Sequence, residues 1–262
     1  NQYRATPAIK ELQAQPGTFR IHNEFRLPGN YGPAHGLEDT WGSSPLRLAD
    51  YERFMAQVPL ERAWQLLNVR YVVTWLEDLS VPAEPIFEEP AKRGEVTYVH
   101  RLEAEHPRVW IVYEAEVVPS QDEALDRLAG PGFDPYRLAV LSQPLESSLS
   151  GQPTERPQAS LAEFGPSRLV VEVDQATDGL LVLSELYYPG WGAKVDGRGV
   201  PIHRADAILR AVRVPAGQHQ VEMTFDPPSV KLGLAISGIT LLLSVAYVTW
   251  CLKSGVRKPD LS

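Results

Sequence analysis

Residues 232–252, LGLAISGITLLLSVAYVTWCL, form an apolar run of twenty-one positions with no charge. At 1.5 Å per residue a helix of that length measures roughly 31 Å, the thickness of a bilayer hydrocarbon core. Lys231 precedes the run, and Lys253, Arg257 and Lys258 follow it. Tyr247 and Trp250 lie near its distal end, where amphipathic rings favour the membrane interface. A buried core helix is rarely apolar on every side for so long, so the pattern predicts a transmembrane helix over 232–252.

Upstream of that run the hydrophobic period shortens. ASLAEF, RLVVEVD, GLLVLSEL, WGAKVD, VPIHRA, ILRAVRV and QHQVEMTFD predict up to seven short strands between 159 and 226. Asp178-Gly179, Pro189-Gly190, Asp196-Gly197 and Ala216-Gly217 punctuate them, each supplying a residue suited to positive φ. Strands at this spacing predict an all-β sandwich over 159–228. Pro227-Pro228 ends the last strand, which sets the sandwich close to the bilayer surface.

The first 142 residues mix both periods. TFRIHNEF, VRYVVTWL, 95–102, 108–118 and YRLAVLS predict strands, while LRLADYERFMAQ and LERAWQLLN carry helical spacing. Ser44-Pro45 has the form of an N-cap followed by proline in the first turn. Ser120-Gln121-Asp122-Glu123 is a capping box opening a helix that stops at Gly130. The block NYGPAHGLEDTWGSSP reads as loop. The predicted architecture is an α+β domain over 1–142, a linker over 143–158 rich in Ser, Pro, Gln and Gly, the sandwich over 159–228, the membrane helix, and a tail over 253–262.

Charge orients this arrangement. The tail carries three basic residues and one acid; removing these from totals of 25 and 33 leaves residues 1–231 with 22 basic and 32 acidic residues, a net −10. The positive-inside rule then predicts a cytoplasmic tail and an extracytoplasmic bulk. NQYRATPAIKELQ has neither an initiator Met nor an apolar signal core, so the chain is expected to be the C-terminal piece of a longer membrane protein. Its expected partners are upstream transmembrane helices of that protein and the lipid bilayer. The overall charge of −8 argues against nucleic acid. Cys251, the single cysteine, excludes an internal disulfide and a cysteine-based zinc site.

Local chemistry is sparse. The chain has no nucleophile elbow, Walker loop, dinucleotide glycine motif or HExxH. No cofactor and no metal are expected. His35, Glu38 and Asp39 lie within five residues, as an acid/base or metal cluster would, but their spacing also suits a hydrogen-bonded turn. His203, Arg204 and Asp206 form a second group; a strand over VPIHRA would put Arg204 and Asp206 on one side, as a surface ion pair. His219 is expected to brace the Ala216-Gly217 turn. Arg137, Arg210 and Lys194 could meet phosphate or carboxylate, although isolated basic residues on a sandwich usually face water. Tyr187, Tyr188 and Trp191 flank one turn, and three readings stay open for them: packing, docking onto the rest of the protein or lipid headgroups, and stacking on a glycan.

LLNVRYVVT, HPRVWIV and above all YYPGWGAKVDGRGVPIHRADAILRAVRVPAGQHQVEMTFDPPSVKLGLAIS resemble, in order, the C-terminal part of the bacterial YfhO family. NYGPAHGLEDTWGSSPL resembles that family's glycine- and aromatic-rich extracytoplasmic segment. Asp206-Ala207 departs from the family pattern, which usually has Asn followed by an aromatic. The resemblance implies a parent protein of the GT-C glycosyltransferase class, using a lipid-phosphate-linked sugar outside the cytoplasmic membrane. In that class the catalytic acid usually lies in the first extracytoplasmic loop, so this stretch is expected to be non-catalytic. It would serve to cap the membrane domain or hold a lipid-linked sugar or cell-envelope glycan, with Tyr187, Tyr188, Trp191, His203 and Arg204 as contact candidates. The alternative is a membrane-tethered binding or structural module.

Overall fold

The computed structural model describes residues 4–42, 46–90, 94–147, 149 and 157–254. Ser44-Pro45, half of the expected linker and the basic tail beyond 254 lie outside the described residues. The fold is an α+β N-terminal part, a β-sandwich and, among the described residues, a single long apolar helix at the C-terminus.

The chain opens with helix α1 (Pro7–Ala14), capped by Thr6, whose hydroxyl accepts the Ile9 N–H, with proline in the first turn. Strand β1 (Arg20–Asn23) follows, then the single turn α2 (Tyr31–Ala34) and β2 (Glu38–Asp39). Helices α3 (Ala49–Gln57) and α4 (Leu60–Leu66) lead into β3 (Val69–Thr74), β4 (Ala83–Pro90) and β5 (Val96–Leu102). These five strands form one sheet in the order β2-β1-β3-β5-β4, with β1 parallel to both its neighbours. The prolines of β4 are tolerated because it is an edge strand.

The expected strand over 108–118 breaks at Tyr113 into β6 (Val109–Val112) and β7 (Glu114–Val117). Ser120 accepts the Glu123 N–H and starts α5 (Gln121–Ala129), which ends at Gly130 ahead of β8 (Leu138–Leu141). Then come β9 (Gln158–Phe164), β10 (Arg168–Gln175), β11 (Gly179–Leu186), β12 (Trp191–Val195), β13 (Arg198–Val200), β14 (His203–Ala205), β15 (Leu209–Val214) and β16 (Gly217–Phe225). The single strand expected over VPIHRA is two strands in different sheets: β13 closes a hairpin with β12, and Pro201-Ile202 carries the chain across to β14. Asp196 and Gly197 both have positive φ, as the tight turn of that hairpin requires.

Two sheets make the sandwich. One has the order β13-β12-β16-β10-β9; the other has the order β6-β11-β15-β14-β8-β7. The second draws strands from both sides of residues 143–158, so the segments before and after the expected linker share one sheet. Both its faces are covered. Leu181, Leu183, Val212 and Val214 meet Val171, Val221 and Met223 across the sandwich. Leu180, Val182 and Ala211 pack with Phe54, Trp64, Leu66, Leu125 and Leu128 of the helical layer. This two-sided burial explains why GLLVLSEL is almost continuously apolar rather than alternating.

Helix α6 (Pro228–Lys253) leaves the sandwich as a span of 26 residues, about 39 Å at 1.5 Å each. Its apolar stretch is not buried against the rest of the described chain, and it is long and apolar enough to cross a membrane. Three of its hydroxyls bond within the helix: Thr240 Oγ1 donates to the Ile236 carbonyl at 2.9 Å, Ser244 Oγ to the Thr240 carbonyl at 2.8 Å and Thr249 Oγ1 to the Val245 carbonyl at 2.6 Å. Such internal pairing is what a hydrocarbon environment demands.

Candidate functional site

The greatest concentration of charge below the surface lies where the three sheets meet. Arg20 projects from β1, Glu38 from β2, Arg108 from the residue before β6, Glu185 from β11 and Arg210 from β15. Glu185 Oε1 accepts Arg108 Nε at 2.7 Å and Arg20 Nη2 at 3.2 Å. Glu38 Oε2 bridges the same two arginines, accepting Arg108 Nη2 at 2.7 Å and facing Arg20 Nε at 3.2 Å. Arg20 also donates Nη1 to the carbonyls of Leu67 at 3.0 Å and Ser184 at 2.7 Å.

Arg210 is the poorly served member. Its nearest carboxylate oxygen, Glu185 Oε2, stands 3.5 Å from Nη2, beyond ordinary hydrogen-bond length. Its buried Nε finds no hydrogen-bond partner. Burial draws its guanidinium down to about 10, against the opposing pull of Glu185. What it does have is an aromatic lid: the Trp191 ring centroid is 3.9 Å from Arg210 Cζ. Phe164 covers Arg108 likewise at 4.6 Å. Cation–π contacts of this kind gain strength where water is excluded.

A cavity of about 380 Å³ opens beside this network, lined by Glu38, Arg108, Phe164, Glu185, Trp191 and Arg210 among others. A smaller cleft, about 210 Å³, lies between the start of α3 and the Tyr187–Pro189 turn. It brings Tyr187, Tyr188 and Arg204 together with Asp50 and Tyr51. Arg204 Nη1 pairs with Asp50 at 2.8 Å and its guanidinium lies 5.0 Å from the Tyr187 ring centroid.

Several sequence expectations are redistributed by this geometry. Arg204 and Asp206 do not pair: Asp206 adopts φ +47°, is fully buried, and accepts the Val140 N–H at 2.9 Å, so its carboxyl faces β8 rather than solvent. Glu38 and Asp39 are successive strand residues and point to opposite faces. Glu38 joins the arginines, whereas Asp39 accepts the Trp41 N–H at 2.9 Å and is pushed by burial up to about 6. His35 packs edge-on to Tyr31, with ring centroids 5.6 Å apart, and does not complete a triad with either carboxylate. His203 stands on β14 opposite Ala211, and burial lowers its pKa. Among the described residues no group of three or more His, Cys, Asp or Glu side chains converges as metal ligands would.

Trp191 and Tyr188 reach toward the membrane helix as well. Phe225 lies 5.4 Å from the Trp191 ring and 6.4 Å from the Tyr188 ring. The Asp226 N–H donates to the Gly190 carbonyl at 2.8 Å, locking the turn onto the base of α6. Gly190 has φ +104°, and a Cβ there would stand 2.9 Å from Pro227 Cβ. His219 braces two turns at the opposite end, bonding Asp196 Oδ2 at 2.6 Å and the Ala216 carbonyl at 3.0 Å. Lone arginines amid apolar strand residues, in HPRVWIV and ILRAVRV, were the one signal that could have found the network.

Residues 155–237 match the family model described as bacterial membrane protein YfhO. The chain is 28% identical over 106 residues to the uncharacterized protein YfhO of Bacillus subtilis (strain 168). That match covers 40% of this chain and only 12% of the Bacillus protein, so the chain corresponds to a small part of the curated relative it matches. No solved structure is detectably similar.

Proposed function

With residues 155–237 a YfhO-family segment of a membrane protein, we propose that the chain is the extracytoplasmic C-terminal portion of a polytopic glycosyltransferase-like protein that uses lipid-linked sugar donors. In this reading the segment is non-catalytic and caps the membrane-embedded part, on the outer side of the cytoplasmic membrane. The observation that supports capping is the junction at Pro227. The family match runs from the sandwich into α6 without interruption, and the Gly190–Asp226 hydrogen bond fixes the sandwich to the base of that helix. The whole length of α6 is left open to lipid or to upstream helices. The complete open reading frame tests the reading. Many upstream hydrophobic helices and an acidic residue early in the first outer loop are expected; a signal peptide or one helix alone would overturn it.

A membrane-tethered, non-catalytic binding or structural module is the second reading. The observation behind it is the ion network, where Glu38 and Glu185 are both held between arginines, an arrangement that suits a structural or binding module. The same reading frame separates the two, since this reading expects few upstream helices.

A further inference from the structure

The network at the sheet junction does not balance. Three guanidiniums, Arg20, Arg108 and Arg210, face two carboxylates, Glu38 and Glu185, leaving one positive charge in excess. Arg108 and Arg210 are almost wholly buried, with side-chain exposures of 5% and 3%. The acceptors are already committed: Glu185 Oε1 and Glu38 Oε2 each serve both Arg20 and Arg108. Arg210 is left with a 3.5 Å ion pair, a weak contact to Met223 Sδ at 3.9 Å and an Nε that bonds nothing. A buried cation without a full set of acceptors is costly, and the cost falls when an anion reaches it.

The space for such an anion is present. Arg108 and Arg210 both line the 380 Å³ cavity, a volume within the range of small-molecule sites. Phe164, Pro166, Leu169 and Trp191 give the same cavity an apolar wall. That wall would be wasted on a bare inorganic ion but suits the carbon skeleton of a larger ligand.

We propose that this cavity binds a small organic oxyanion, a carboxylate or phosphate borne on a group about the size of a monosaccharide, with Arg210 and Arg108 as the anion contacts. The site is separate from any reaction carried out elsewhere in a parent protein, so it stands or falls independently of the glycosyltransferase reading.

The test uses the whole chain in detergent micelles or nanodiscs, followed by thermal unfolding and by tryptophan fluorescence. Glucuronate and glucose 1-phosphate are the probes for the two sources of charge, with acetate, inorganic phosphate, glucose and ionic-strength-matched chloride as controls. A saturable rise in melting temperature is expected with glucuronate, glucose 1-phosphate or both, and none with glucose. Arg210→Met, which removes the excess charge and keeps an unbranched apolar stem, should abolish that rise. Glu38→Gln, which raises the excess from one to two, should tighten the apparent affinity on the order of tenfold. No saturable shift with either acid, a shift matched by glucose or chloride, or one retained in Arg210→Met would each overturn the assignment. Should Arg210→Met not fold, unchanged affinity in Glu38→Gln overturns it alone.

Discussion

Asp206→Asn separates a titrating core residue from its surroundings. Asp206 is fully buried at φ +47°; one carboxyl oxygen accepts the Val140 N–H at 2.9 Å, and the other has no hydrogen-bond partner. Burial pushes its carboxyl up to about 7, opposed by the Val140 N–H and by Arg62. An unfolded aspartate titrates near 3.8. Between those values the folded chain holds a proton that the unfolded chain has released, so stability falls as pH rises from about 4 to about 7. The full difference, about three pH units, corresponds to about 4 kcal/mol, of which about 2 kcal/mol is lost between pH 5 and pH 7. Other groups titrate in this range too. Asp39, raised by burial to about 6, acts in the same direction; His22, lowered by burial to about 4, and His106 and His203, also lowered by burial, make stability rise with pH instead. Comparison with the variant removes these contributions. Asn tolerates positive φ well and can accept the same N–H. The assay is urea unfolding of wild type and Asp206→Asn in a mild detergent at pH 5, 6 and 7. The variant should gain about 2 kcal/mol on wild type across that interval, and a difference constant to within about 0.5 kcal/mol would refute the buried-carboxyl account.

Gly190→Ala should lower stability by about 2 kcal/mol or more, because φ +104° is strained for alanine and the new Cβ meets Pro227 at 2.9 Å and Phe225 at 3.0 Å; an unchanged melting temperature would contradict the rigid seat described for α6. Deleting residues 1–142 removes β6, β7 and β8 from their six-stranded sheet and uncovers Leu180 and Val182. The remaining chain is expected to lose cooperative unfolding, read by near-ultraviolet circular dichroism, and a sharp transition would show that the sandwich stands alone. The proposed orientation is checked with Ser262→Cys in a Cys251→Ser background: a membrane-impermeant maleimide should label the tail only after the cytoplasmic side is opened, and labelling of intact cells would reverse the orientation.

How much of this was legible depended on whether the signal was local. The apolar run at 232–252, the Ser120 cap and the glycines at 190, 197 and 217 were readable because each is fixed by neighbours a few residues away. Helix α1 is equally local, since Thr6-Pro7 is a cap followed by proline, but it is short and sits in loop-like sequence. The shared sheet was not local. Its clue was that GLLVLSEL lacks the alternation of a strand with one wet face, which implies a second covering layer but not which residues supply it. The ion network was furthest out of reach, with members at positions 20, 38, 108, 185 and 210 brought together by three sheets. Glu38 and Trp191 carry other expectations, and for Arg210 both a carboxylate or phosphate partner and a water-facing position are open from sequence; all three belong to this one site.

The placement of that network says what it contributes. A buried ion cluster adds little net stability over apolar residues of equal volume, because desolvation consumes most of the Coulomb attraction. Removing one partner is costly all the same, since the remaining charges stay buried, so the five side chains hold one another in place. They come from all parts of the fold: β1 and β2 in the N-terminal sheet, Arg108 before β6, and β11 and β15 in the sandwich. Trp191 closes over Arg210 at 3.9 Å, and Phe225 lies 5.4 Å from Trp191, two residues before Pro227 and the start of α6. A continuous series of contacts therefore runs from the N-terminal sheet through the cluster to the foot of the membrane helix. Along it the Tyr187–Trp191 turn is the last rigid link, with Tyr187 over Arg204, Trp191 over Arg210 and Gly190 bonded to Asp226. Of the aromatic residues that first suggest a sugar platform, Tyr187 and Trp191 thus lie over arginines of this chain, Trp191 also lining the cavity beside Arg210, while Tyr188 stays about half exposed.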